Sequence, residues 1–125
     1  MNFVPAEVVD NGLKGQVVAH GDGWQLPLSP SNSSRARNSN GGQVILGIRH
    51  GHVHLLPDSA GEGLPAKVYT VEPTGDLTYV HARLGDQFVV ASTSQPFRGA
   101  ADQPVQLSFD QDHLYLFDRS TGNAL

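Results

Sequence analysis

Apolar positions along the chain fall in short runs that alternate with polar ones, and glycine, proline or asparagine cuts the runs every few residues. Alternation is clearest in Lys67-Val68-Tyr69-Thr70-Val71, in residues 77–84 and in Gln87-Phe88-Val89-Val90-Ala91, where β-branched and aromatic residues dominate. These are strands with one buried face. Between the first two stands Glu72-Pro73-Thr74-Gly75-Asp76. Pro73 at the second position of a type I turn, with Gly75 in the left-handed conformation of a hairpin bulge, predicts a tight hairpin there.

The first half reads the same way with more interruptions. Residues 2–9 form a strand in which Pro5 marks an edge or a bulge, since proline gives no N–H to a ladder. Asn11-Gly12 supplies turn chemistry, and residues 16–18 and 24–28 make a hairpin around His20-Gly21-Asp22-Gly23. Val44-Ile45-Leu46-Gly47-Ile48 is apolar on both faces and predicts a central strand, with residues 53–56 as its extension. Residues 105–109 and 113–117 are two further strands about a turn at Asp110-Gln111-Asp112. Residues 29–42, rich in Ser, Asn, Gly and Pro with little to bury, predict a flexible surface loop. No segment predicts a helix longer than about two turns by its apolar spacing. The sum is an all-β domain of about eight or nine short strands, which suits a small closed barrel.

Composition narrows this without changing it. A chain of 125 residues is one domain's worth, and 14 glycines with 8 prolines break it too often for long helices. The net charge is −4 and the eight Lys and Arg residues are scattered, so no basic stripe is present to neutralise a run of phosphates. Nucleic acid is therefore not an expected partner. No window approaches the 18 or so consecutive apolar residues that would span a bilayer, and the absence of cysteine fits a reducing compartment such as the cytoplasm.

Candidate chemistry is sparse. Asn38-Ser39-Asn40-Gly41-Gly42-Gln43 ends like the Ser-Gly-Gly-Gln clamp of transport ATPases, but Asn40 stands where a serine is needed and an apolar strand follows where a helix is needed. No Gly-x-x-x-x-Gly-Lys-[Ser/Thr] run is present, so the chain by itself has no phosphate cradle and no ATPase activity is expected of it. No Gly-x-Ser-x-Gly elbow positions a nucleophile. His50, His52 and His54 have strand spacing and would share one face as candidate metal ligands. Nothing in the sequence marks a fourth ligand or its supporting partners, so surface histidines are the plainer expectation. Asp110 and Asp112 are explained by turn chemistry, and Trp24, Tyr115 and Phe117 by filling or sealing the barrel.

Four segments in register carry a family resemblance across nearly the whole chain. Met1-Asn2-Phe3, Gly47-Ile48-Arg49, Glu72-Pro73-Thr74-Gly75-Asp76, and Leu107-Ser108-Phe109-Asp110 with Leu114-Tyr115-Leu116-Phe117-Asp118 resemble motifs of one domain. It is the accessory domain following the ATPase domain in carbohydrate-importing ABC transporters of the maltose and glycerol-3-phosphate type. The chain departs from the family at His50-Gly51, where Pro-Glu is usual, and in its long polar segment 29–42.

The resemblance implies an oligonucleotide/oligosaccharide-binding-type barrel, often called a TOBE domain, that carries no chemistry. It implies a cytoplasmic location at the inner face of the plasma membrane and a fragment of a longer subunit, whose ATPase domain takes ATP and Mg2+. Implied partners are a second copy of the subunit as a homodimer, the parent ATPase domain, the membrane subunits indirectly, and a regulatory protein. Glu72, Pro73, Thr74, Gly75 and Asp76 are the candidate contact residues. The alternative from another class is a small-ligand barrel of the molybdate-binding type, with Ser92, Thr93 and Ser94 as donors to an oxyanion or sugar.

Overall fold

A computed structural model describes residues 1–10, 16–95, 97 and 99–125; the Asn11-Gly12 turn lies outside the described residues. Ten strands are described: β1 (Asn2–Asp10), β2 (Val17–Gly21), β3 (Trp24–Pro27), β4 (Gln43–Ile48), β5 (Val53–Pro57), β6 (Leu64–Pro73), β7 (Thr78–Leu84), β8 (Gln87–Thr93), β9 (Pro104–Phe109) and β10 (Tyr115–Asp118). They form two curled five-stranded sheets of order β10-β4-β1-β2-β3 and β5-β9-β6-β7-β8, with every pairing antiparallel. The expected all-β, barrel-like class is what the chain adopts.

Alternation builds the single core. Val4, Ala6, Val44, Leu46, Ile48 and Leu116 point inward from the first sheet and are at most 2% exposed. Val80, Ala82, Leu84, Val89, Ala91 and Leu107 answer from the second at 0%. Asn2 adds a polar seam between the sheets: its side-chain amide donates to the Val90 carbonyl and accepts from the Val90 N–H, both at 2.8 Å. One amide thus imitates a strand neighbour for β8.

The segment expected to extend β4 is a separate strand in the other sheet. A 3-10 turn at His50–His52 carries the chain from β4 across to β5, and a second, Gln111–His113, carries it back from β9 to β10. The Asp110 N–H donates to the His52 carbonyl at 3.0 Å, so the two crossings lie side by side. This extra strand brings the count to ten.

The larger difference is at residues 29–42, where a helix α1 (Pro30–Ala36) stands in place of the expected loop. Ser29 caps it by accepting from the Asn32 N–H, and Pro30 occupies the first turn, where its missing N–H costs nothing. The helix is held by polar groups. Asn32, 1% exposed, donates through Nδ2 to the Gln111 carbonyl at 3.0 Å and to Gln111 Oε1 at 2.8 Å. Ser33 Oγ accepts from the Val17 N–H and donates to the Leu28 carbonyl. A hydrophobicity-based reading cannot see such an anchor, because its partners lie up to 79 residues away.

Asp118 ends β10 as a buried carboxylate, 5% exposed. It accepts from the Ser120 hydroxyl at 2.6 Å and from the N–H groups of Asn40, Ser120 and Thr121. These bonds, the Ser120 hydroxyl foremost, hold its carboxyl down to about 2.

Two outcomes follow from these contacts. Asn32→Ala leaves Gln111 short of a buried donor and should lower stability by about 1–3 kcal/mol, seen as a lower urea midpoint at unchanged slope. Because the folded-state pKa of Asp118 lies below that of an ordinary carboxylate, its contribution is complete above about pH 4 and is lost as pH falls toward about 2. In Asp118→Asn, melting temperatures measured across that window should show a shallower acid decline than the parent.

Candidate interaction surface

The hairpin expected to carry partner contacts is present and exposed from Glu72 to Asp76. It is built two residues later than its sequence suggests. Pro73 still pairs with Thr78 as the last residue of β6, and residues 74–77 form the turn. Thr74 closes it, with its N–H and its hydroxyl both donating to the Leu77 carbonyl at 2.8 Å. Gly75 takes φ +96°, a left-handed value as expected. Glu72 Oε1 lies 2.6 Å from Nε2 of His81 across the ladder, which leaves Asp76 as the carboxylate at the tip.

A second surface was not singled out by sequence reasoning. On the outer face of the first sheet, register places Phe3 beside Gly47 and Pro5 beside Ile45, while Tyr115 and Phe117 flank the same two β4 residues from the other side. Phe3 is 59% exposed and Tyr115 49%. Tyr115 therefore does not seal the barrel as expected; Trp24, 4% exposed, does. Phe117 tilts against Phe3 with ring centroids 6.2 Å apart. Gly47 lets these rings settle on the backbone, since a Cβ there would come within 2.8 Å of the Phe117 ring.

The signal for this face was in the sequence. The run 44–48 is apolar at both parities, and covered central strands read that way. Here β4 is central within its sheet, yet no described element lies over its outer side. Contiguous exposed apolar surface of this kind marks interaction sites.

The three histidines expected on one strand face are separated. His50 Nδ1 lies 2.8 Å from Ser92 Oγ, and its ring packs edge-on against Tyr79. His54 is an exposed β5 residue opposite Ser108. His52, on the 3-10 turn, stacks on His113. The strand alternation that would align them begins only at Val53.

The oxyanion donors fare no better as a set. Ser92 is engaged with His50, and Thr93 Oγ1 accepts from the Gln95 N–H. The cleft beside Thr93, about 620 Å³, is lined chiefly by Leu55, Leu56, Phe97 and Val105. A second cleft of about 500 Å³ pairs Lys67 and Arg83 with Asp22, Asp58 and Asp102, a balance that does not favour an anion.

Comparison with known proteins fits this geometry. Residues 46–117 match the TOBE domain family, and residues 1–52 match the MalK OB fold domain. The chain belongs to the TOBE domain family. It is 32% identical over its whole length to the sulfoquinovosyl glycerol transport ATP-binding protein SmoE of Agrobacterium fabrum, covering 33% of that protein. It is 34% identical to the xylose/arabinose import ATP-binding protein XacK of Haloferax volcanii, over 93% of the chain and 31% of the relative. Identity is also 34% to the sn-glycerol-3-phosphate import ATP-binding protein UgpC of Salmonella paratyphi A, over 92% and 33%. The chain thus spans about a third of the length of these relatives. Among solved structures, the cytoplasmic molybdate-binding protein ModG with molybdate bound superposes with TM-score 0.67 over 92% of this chain and 94% of that one. At 15% identity that likeness is one of fold.

Replacing Phe3 and Tyr115 of this TOBE domain together by serine should leave the urea-derived stability within about 0.5 kcal/mol. Binding of a hydrophobic dye should fall. A large loss of stability would instead make the rings part of the core.

Proposed function

We propose that the chain is the non-catalytic regulatory and dimerisation domain of an ABC-type importer ATPase subunit for a sugar or polyol phosphate. The observation that carries this is the TOBE match, joined to relatives that are import ATP-binding proteins and that contain this segment as about a third of their length. Nucleotide chemistry, with ATP and Mg2+, falls to the remaining two-thirds of such a subunit, since no phosphate-binding loop occurs in these 125 residues.

A barrel that pairs with its twin keeps two ATPase domains at high effective concentration while they open and close. A regulator that fits only the open arrangement would shift the population toward rest. Docking of the ATPase domain to membrane subunits then puts the domain at the cytoplasmic face of the plasma membrane. Near-equal identity to relatives named for three different solutes, between 32% and 34%, argues that the domain does not read the solute.

The exposed turn at residues 72–76 is a contact point in this reading. In the full-length subunit assembled with its membrane partners, Thr74→Ala with Asp76→Ala should weaken subunit self-association or regulator inhibition about tenfold or more, a loss of about 1.4 kcal/mol. Sedimentation velocity and transport assays that match the parent on both counts would remove the hairpin from the interface.

A further inference from the structure

The two crossings between the sheets bring together side chains that lie 61 residues apart. His52 comes from the turn between β4 and β5; Asp110 and His113 come from the end of β9 and the turn before β10. The His52 and His113 rings stack in parallel, with centroids 3.8 Å apart and planes 4° apart. Asp110 Oδ2 lies 3.0 Å from His113 Nδ1. One nitrogen or oxygen from each of the three falls within 4.8 Å of the other two. His113 is exposed and the other two are half-buried, so the cluster is open to solvent on one side.

We propose that His52, Asp110 and His113 form a binding site for a divalent transition-metal cation of the zinc, nickel and copper class. Two imidazoles with one carboxylate are donors suited to these ions, and three protein ligands with solvent in the fourth position is a familiar coordination. Hard cations are disfavoured, because Mg2+ and Ca2+ require more oxygen ligands than one carboxylate offers.

Donor atoms around a four-coordinate ion with bonds of about 2.0–2.2 Å sit roughly 3.3–3.5 Å apart. The longest separation in the cluster must therefore contract by up to about 1.5 Å. The terminal torsion of a histidine has a broad well, and rotation of the exposed His113 ring out of the parallel stack turns the two nitrogen lone pairs toward a common point. Asp110 supplies the oxygen donor, its Oδ2 3.0 Å from His113 Nδ1 and its Oδ1 accepting from the Asp112 N–H. An ion bound here would clasp the outward and return crossings, tying one sheet to the other at the place where their backbones already share a hydrogen bond.

The test uses the 125-residue chain free of any histidine tag. Isothermal titration with ZnCl2 and with NiCl2 near neutral pH should show one ion per chain, and each should raise the melting temperature by linkage, whereas MgCl2 and CaCl2 should not. His52→Ala and His113→Asn should each weaken binding at least about tenfold, while His54→Ala and His81→Ala leave it unchanged. In the unsubstituted chain, the imidazole nitrogen resonances of His52 and His113 should move as zinc is added, which removes any dependence on the folding of variants. Absence of saturable binding up to about 1 mM metal, an affinity too weak to hold an ion in a cell, would overturn the proposal. So would zinc shifts confined to other histidines.

Discussion

One core shared by the inner faces of two sheets sets the phase of every strand in this domain. Val4, Leu46 and Leu116 from one side and Val80, Leu84 and Leu107 from the other are essentially inaccessible to water. Side chains alternate along a strand, so a slip of one residue would exchange this set for its neighbours and expose the core. Phase in turn decides the outside. With Val4 and Leu116 committed inward, Phe3, Tyr115 and Phe117 must face outward, whatever that costs in exposed apolar area. The face that a partner would find is the complement of the core.

Closure demands that the chain cross between sheets, and both crossings are short 3-10 turns held side by side. Short crossings concentrate polar chemistry. His52, Asp110 and His113 meet there, and Gln111 receives Asn32 of α1 while its own amide donates to the Pro27 carbonyl. A segment of Ser and Asn residues with few helix formers becomes helical with Asn32 satisfied by that turn, Ser33 by Val17 and Leu28, and Ala36 alone adding apolar burial.

The chain belongs to the TOBE family and is similar to about a third of several import ATP-binding proteins, and the proposed function sets it beside an ATPase. Its surface presents two features: a hairpin at residues 72–76 closed by Thr74, and an apolar sheet face over Gly47. Both suit the proposed role of holding neighbours in position.

Local features were legible in the sequence. Strand alternation, a hairpin turn within residues 20–23 between β2 and β3, and the left-handed Gly75 depend on a few adjacent residues, and each is present. The family motifs are such turns and strand ends, so the assignment was legible too. The placement of His50, His52 and His54 was not, because a 3-10 turn replaces the strand that would have aligned them. Nor was α1, whose bonds reach 79 residues along the chain. The outer apolar face was visible as a run without alternation, but only the assembled sheets show that its far side is left uncovered. Periodicity over a few residues determines strands and turns; which side chains meet across a sheet, a crossing or a buried hydrogen bond is decided by contacts between segments that the order of residues does not place together.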